Sequence, residues 1–338
     1  MDARFSQLEN WLQSTLGYKN YHIAPASADA SFRRYFRVTR GSESVIVMDA
    51  PPEREDCAKF VRVARRFAEA GINVPHVLAE NLNDGFLLLS DFGNRQYLSE
   101  LTPETVDVLY GDATTSLLRL QSCEIASQPF PLYDRALLER ELEIFREWFL
   151  DKYLRLVLTA RAAQELGNTF AKLVECALEQ PRVWVHRDFH SRNLMITEAH
   201  SPGVLDFQDA VIGPITYDLA SLLRDCYIEW PRGRVDRWAA SFFDRAGNLS
   251  AYEGVERKQF LRWFDWMGMQ RHLKAIGIFA RLNARDGKPG YLKDIPRTLG
   301  YVIDVAARYP EFTSFGTFLG EDVTRALNNL GFAAVAAR

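Results

Sequence analysis

Cysteine is scarce. The 338 residues hold four, at positions 57, 123, 176 and 226, and no two stand at a C-x-x-C spacing. This excludes a disulfide-dense scaffold and a zinc ribbon, and it suits a reducing compartment. No apolar run reaches the roughly 18 residues of a transmembrane helix. An excess of either charge is missing too: 41 Lys and Arg face 44 Asp and Glu, for a formal net charge of −3. General capture of nucleic acid needs a basic face, so nucleic acid is not an expected partner. With 20 glycines and 14 prolines, the chain is neither collagen-like nor of low complexity. The opening Met1 to Glu9 carries acidic residues and lacks the apolar core of a secretory signal. The expectation is a cytoplasmic protein, off the membrane and monomeric, whose length corresponds to about two domains of ~150 residues or one large bilobal unit.

Periodicity divides the chain into an early strand-rich part and a later helical part. Phe5, Leu8, Trp11, Leu12 and Leu16 predict an amphipathic helix over 4–16. Residues 32–40 and 44–49 read as strands joined at Gly41-Ser42, and Pro51-Pro52 ends the second. A helix is predicted from Glu53 to Ala70, with Gly71 at its C′ position. Asn83-Asp84-Gly85 between two apolar runs marks a second hairpin. Thr102-Pro103 then opens a helix running to about Gln121. Helices follow over 135–150 and 159–179. Val183 to Val185 is a short strand, and Asn193 to Ile196 with Val204 to Asp206 forms a small hairpin. From about 216 the chain is mainly helical. The predicted fold class is α+β, with an antiparallel-sheet N-lobe over 1–92 and a larger, mainly helical C-lobe over 93–338.

One segment carries chemistry: His186-Arg187-Asp188-Phe189-His190-Ser191-Arg192-Asn193, followed after thirteen residues by Asp206 in Val204-Leu205-Asp206-Phe207. Phosphoryl transfer from a nucleotide needs one carboxylate to accept or orient the proton of an attacking hydroxyl. It needs a second carboxylate, and a neutral carbonyl ligand, to hold Mg²⁺. A loop followed by a hairpin can supply all three groups. Zinc would want further His or Cys ligands, and His22, His76, His200 and His272 stand in no matching motif.

H-x-D-x-x-x-x-N followed by D-F resembles the protein kinases. The extra His190, and the later Gly213-Pro214-Ile215-Thr216-Tyr217-Asp218-Leu219-Ala220, make the chain more similar to the aminoglycoside phosphotransferase and choline kinase family. That resemblance implies a bilobal kinase-like fold with ATP and Mg²⁺ as cofactors. It implies Asp188 as the catalytic base or the residue orienting the acceptor hydroxyl, His186 as the residue orienting its loop, Asn193 and Asp206 as metal ligands, and Asp218 as a structural anchor. It also implies that the backbone over Leu88, Leu89, Ser90 and Asp91 meets the adenine. Three further stretches, Ser31 to Val38, Val47 to Glu53 and Leu142 to Phe149, look like one branch of the family. That branch comprises the anomeric N-acetylmuramate and N-acetylglucosamine kinases of cell-wall recycling, which implies a small amino-sugar acceptor.

The chain departs from the family in two places. Met48 stands where a strand lysine would meet the α- and β-phosphates, and the phosphate-covering loop, Ala28 to Arg37, is not glycine-rich. Arg33, Arg34 or Arg37 is expected to supply the missing charge, since guanidinium forks suit phosphate geometry. Candidates for touching the acceptor are His190, Arg192, Gln208, Asp209 and Glu147. Asp209 also reads as a turn residue, Glu147 as a solvated one, and Trp148 as core or as a stacking face for a sugar. Two rivals stay open: the same chemistry on an aminoglycoside, choline or other alcohol, and a non-catalytic nucleotide-binding module. No A-P-E signature follows Asp206, which argues against a protein substrate.

Overall fold

The computed structural model describes residues 3–28, 32–125 and 130–331. In chain order the early elements are α1 (Ala3–Asn10), β1 (His22–Ala28), β2 (Arg34–Arg40), β3 (Glu43–Asp49), α2 (Cys57–Glu69), β4 (Val77–Asn81) and β5 (Phe86–Ser90). There follow α3 (Tyr97–Glu100), α4 (Val106–Gln121), α5 (Arg135–Ile144), α6 (Ala160–Leu178), β6 (Arg182–Val185), β7 (Leu194–Met195), β8 (Gly203–Val204) and β9 (Val211–Pro214). The chain ends with α7 (Tyr217–Leu223), α8 (Arg232–Ala246), α9 (Arg257–Asp286), α10 (Ile295–Arg308), α11 (Thr313–Phe318) and α12 (Thr324–Asn329). Two compact units form. One comprises Met1–Ala113 with Arg192–Asp209, the other Thr114–Ser191 with Ala210–Arg338.

In the first unit a five-stranded antiparallel sheet runs in the order β1-β2-β3-β5-β4. The β2–β3 hairpin turns at Gly41-Ser42, with Arg40 opposite Glu43. The β4–β5 hairpin needs its glycine: Gly85 has φ +74°, and a Cβ there would stand 2.0 Å from the Ala50 carbonyl oxygen. Leu8, Trp11 and Leu12 pack with Val38, Val47, Phe86 and Leu88 to form a core on the sheet.

Several boundaries differ from the sequence reading. The first helix is α-helical only to Asn10, and residues 11–15 continue as a π-turn. α2 starts four residues later than predicted, because Asp56 accepts a hydrogen bond from the Lys59 N–H (2.9 Å) and caps it there. β1 escaped prediction: it contains Pro25 and a bulge between Pro25 and Ser27, features that suit only an edge strand. Asp29, Ala30 and Ser31 of the expected phosphate-covering loop lie outside the described residues.

The second unit is mainly helical. A short sheet there pairs β6 with β9, Val183 opposite Gly213, and β9 was not foreseen either. The 30-residue α9 is buried along much of its length. Gly277 is required on it, since a Cβ there would come within 2.6 Å of the backbone of Ile144 and Phe145. Among the described residues, no helix is long and apolar enough to cross a membrane.

Candidate active site

In the first unit, Asp206 is positioned by its neighbours in sequence. Phe207 is fully buried against Phe60 and Phe67 of α2, with ring centroids 4.8 and 5.9 Å away. The Leu205 N–H donates to the Asn193 carbonyl (2.9 Å), and the β7–β8 pair closes the hairpin between them. Asp206 itself takes φ +62°, a strained setting of the kind that collects at functional sites. Its carboxylate accepts hydrogen bonds from Gln208 Nε2 (2.7 Å) and Asn193 Nδ2 (3.4 Å). Mg²⁺ is bound through one or two carboxylates, carbonyl oxygens and substrate phosphates. An aspartate and an amide side chain this close, with Asp206 about a third exposed, fit that donor set.

Two cations converge on the same segment. Arg33 Nη1 lies 4.0 Å from Asp206, while its Nε lies 3.2 Å from Glu55. Lys59 Nζ, from the first turn of α2, lies 2.6 Å from Asp209. Arg34 and Arg37 are engaged elsewhere in this unit. Arg34 pairs with the buried Asp49, which Arg4 also grips. Arg37 pairs with Asp91 (2.6 Å) and donates to the Gly93 carbonyl and Asn94. Burial would raise the Asp91 carboxyl, but hydrogen bonds from Arg37 and the Gly93 N–H hold it below its ordinary value. Met48 is fully buried. Leu88 and Leu89 run mid-sheet between β3 and β4, and Ser90 Oγ accepts from the His76 N–H (2.9 Å).

In the second unit, the loop around Asp188 hangs from two buried aspartates. Asp218, at the start of α7, accepts the N–H of His186 (2.7 Å) and of Arg187 (2.9 Å). Burial pushes the Asp218 carboxyl up, to about 7, against the pull of those two donors. Asp225 accepts both the N–H (2.8 Å) and the hydroxyl (2.5 Å) of Ser191. His186 is fully buried, and its Nδ1 accepts from the Asp188 N–H (3.2 Å). Its proton therefore sits on Nε2, and the ring orients the loop. Arg187 has φ +79° and pairs with buried Glu141. Burial alone would raise the Asp188 carboxyl; Lys274, His190, Arg187 and Arg271 more than offset it and hold the group below its ordinary value. A cavity of about 110 Å³ opens beside Asp188, with His190, Tyr227, Arg271, Lys274 and Phe279 in its wall.

The expected residues thus fall into two groups. His186, Asp188, His190 and Asp218 belong to the second unit. Arg33, Asn193, Asp206, Gln208 and Asp209 gather in the first, where the Arg192 carbonyl accepts from Gln96 Nε2. Glu147 is absent from the wall of the cavity beside Asp188; it pairs with Lys152, whose ammonium also covers the Trp148 ring at 3.6 Å. Lys59, Glu141, Arg271 and Lys274 escaped the sequence reading. Arg271 and Lys274 stand three apart, on one face of a helix otherwise rich in core residues. That pair of charges was the available signal.

A model of the phosphotransferase enzyme family matches residues 22–257. The chain belongs to that family. It is an ATP-dependent phosphotransferase with a hydroxyl group as acceptor. This phosphotransferase is 46% identical to the N-acetylmuramate/N-acetylglucosamine kinase of Pseudomonas aeruginosa, over 94% of the chain and 96% of that relative. The protein of the same name from Neisseria meningitidis is 42% identical over 93% of the chain and 95% of the relative. Among solved structures, the ethanolamine kinase of Plasmodium vivax shares the fold at TM-score 0.63 and 11% identity, over 90% of the chain and 88% of its own length. Aminoglycoside 2′-phosphotransferase-IIIa in complex with GDP shares it at TM-score 0.62 and 12% identity, over 91% of the chain and all of its own.

Proposed function

We propose that this phosphotransferase moves the γ-phosphoryl group of ATP to the anomeric C1 hydroxyl of N-acetylmuramate and N-acetylglucosamine. The product is the sugar 1-phosphate, made in the cytoplasm for peptidoglycan recycling. The observation that carries the acceptor is near-full-length similarity to kinases named for those two sugars. The charge around Asp188 favours it over the polycationic aminoglycosides. Arg271 and Lys274 share the cavity wall there with Asp188 and Asp225, and Asp225 is already occupied by Ser191.

In this reading, Asp188 accepts the proton of the C1 hydroxyl as its oxygen attacks the γ-phosphorus. The bond from that phosphorus to the β-phosphate oxygen breaks, and ADP leaves. The cations around Asp188 keep the carboxylate ionised and ready for the proton. Asn193 and Asp206 would hold Mg²⁺, which neutralises charge on the phosphates when bound. Lys59 and Arg33 take over the role of the strand lysine replaced by Met48. The segment after β5, from Asp91, offers the adenine contact, and Leu88 and Leu89 shape its approach. Catalysis is then mostly positioning and charge neutralisation.

The test is ADP release from ATP and Mg²⁺ with N-acetylmuramate, N-acetylglucosamine, an aminoglycoside and choline, scored beside the reducing-end reactivity of the sugars. Turnover of the N-acetyl sugars with loss of reducing-end reactivity is expected. Turnover that spares the reducing end, or occurs only with the other acceptors, would discard the anomeric assignment.

A further inference from the structure

Arg271 and Lys274 lie one turn apart on α9 and line the same cavity, yet their surroundings differ. Lys274 Nζ lies 3.0 Å from Glu141 and donates to the Tyr217 hydroxyl (3.2 Å). Arg271 lies over the Tyr217 ring, its guanidinium carbon 5.1 Å from the centroid. Among the described residues no carboxylate stands within ion-pair distance of it, and its buried Nε has no hydrogen-bond partner. Ser221 Oγ, in the same wall, is also buried without a partner among the described residues. A guanidinium and a hydroxyl left in this state cost stability unless something answers them. The next turns of α9 add an apolar surface of Ala275, Ile278 and Phe279 to the cavity.

The two acceptor sugars differ in one group. N-acetylmuramate carries a lactyl ether on O3, a carboxylate beside a methyl. O3 stands on the ring carbon two bonds from C1. A cavity that seats the C1 hydroxyl at Asp188 therefore has the lactyl group within reach of its other lining residues. At about 110 Å³ it takes an edge of the sugar rather than the whole. We propose that Arg271 receives the lactyl carboxylate, with Ser221 Oγ as a second donor and the Ala275–Ile278–Phe279 surface against the methyl. Arg271 is then a specificity-determining residue that sets the preference for the acidic sugar over the neutral one. This rests on the acceptor reading above.

The experiment compares kcat/KM for N-acetylmuramate and N-acetylglucosamine in the wild type, Arg271→Gln and Arg271→Lys. A parallel arm gives the wild type N-acetylmuramate methyl ester. Arg271→Gln should lower the ratio of the two kcat/KM values by about 10- to 100-fold, mainly through KM for N-acetylmuramate, as befits a lost charged hydrogen bond. Arg271→Lys should restore part of the ratio, and the methyl ester should behave like the neutral sugar. An equal loss on both sugars would overturn the proposal and place Arg271 on the phosphoryl group instead. Should Arg271→Gln fail to fold, the ester decides: wild-type enzyme that uses ester and acid alike overturns the proposal. A wild type inert toward both sugars would sink the acceptor reading itself, a different failure.

Discussion

Asp188 and Asp218 meet opposite surroundings within one unit. Lys274, His190, Arg187 and Arg271 hold Asp188 below its ordinary titration range, whereas burial lifts Asp218 to about 7. One carboxylate is kept ionised, and the other holds the backbone on either side of His186 and Arg187. Asp188→Asn should lower kcat by about 10²- to 10⁴-fold, the usual contribution of a positioned base. Its circular dichroism should stay that of the wild type. A kcat near the wild-type value would remove Asp188 from the chemistry. The three arginines of the 33–37 stretch also separate by surroundings. Arg33→Ala and Lys59→Met should each raise KM for ATP by about tenfold or more, as expected for the loss of a charge-assisted phosphate contact. Arg34→Ala should instead move the unfolding midpoint, because it strips a partner from the buried Asp49. An Arg34→Ala enzyme with the larger defect in ATP affinity would reverse these roles.

The Asp206-Phe207 pair shows how an element sets a functional group. Phe207 is held between Phe60 and Phe67, so the apolar face of α2 fixes the place of a carboxylate far along the chain. Phe207→Ala should cost about 3–5 kcal/mol of stability, the range for emptying a buried aromatic site. It should also raise the Mg²⁺ concentration needed for half-maximal rate. Urea unfolding and a Mg²⁺ titration of the rate check the two halves separately. Much of the element pattern was legible in sequence. The two N-terminal hairpins, the closing glycine after α2 and the H-x-D-x-x-x-x-N segment all follow from local rules. β1 and β9 did not, because Pro25 stands inside the first and Gly213-Pro214 closes the second, and such residues read as strand breakers. The charges of α9 were hidden for another reason. A helix buried around much of its circumference has no clear polar face, so the two cations that line the cavity beside Asp188 look like accidents among core residues.

At the scale of the whole molecule, stability should depend on one buried histidine. His272 lies within the second unit with Nε2 2.8 Å from the Arg224 carbonyl and its ring stacked on Tyr301. Since a carbonyl only accepts, Nε2 carries the proton, and burial lowers the group from 6.5 to about 3. Above pH 6.5 the ring is neutral in both the folded and unfolded chain and costs nothing. Between 6.5 and 3 only the unfolded chain takes up the proton, so stability falls as pH falls. His272→Gln should flatten this acid limb, most visibly as a smaller drop in Tm between pH 7 and pH 5. Equal drops in the two proteins would show that other groups govern it.

By itself the sequence pointed to phosphoryl transfer to a hydroxyl. Asp188 and Asn193 stand in H-x-D-x-x-x-x-N with Asp206 thirteen residues on, and such spacing is a property of the chain alone. It also determined which residue was missing, since Met48 cannot carry a charge. The tertiary structure alone decided which cations are held by structural carboxylates and which lie beside Asp206 and Asp209. Arg33, Arg34 and Arg37 are equivalent as letters, but Asp49 and Asp91 engage two of them, while Arg33 lies near Asp206. Lys59, Lys274 and Arg271 gain meaning only from what folding sets beside them. The physical reason is that local propensity is read over a few residues. The state of a charge depends instead on which distant groups burial brings within a few ångströms.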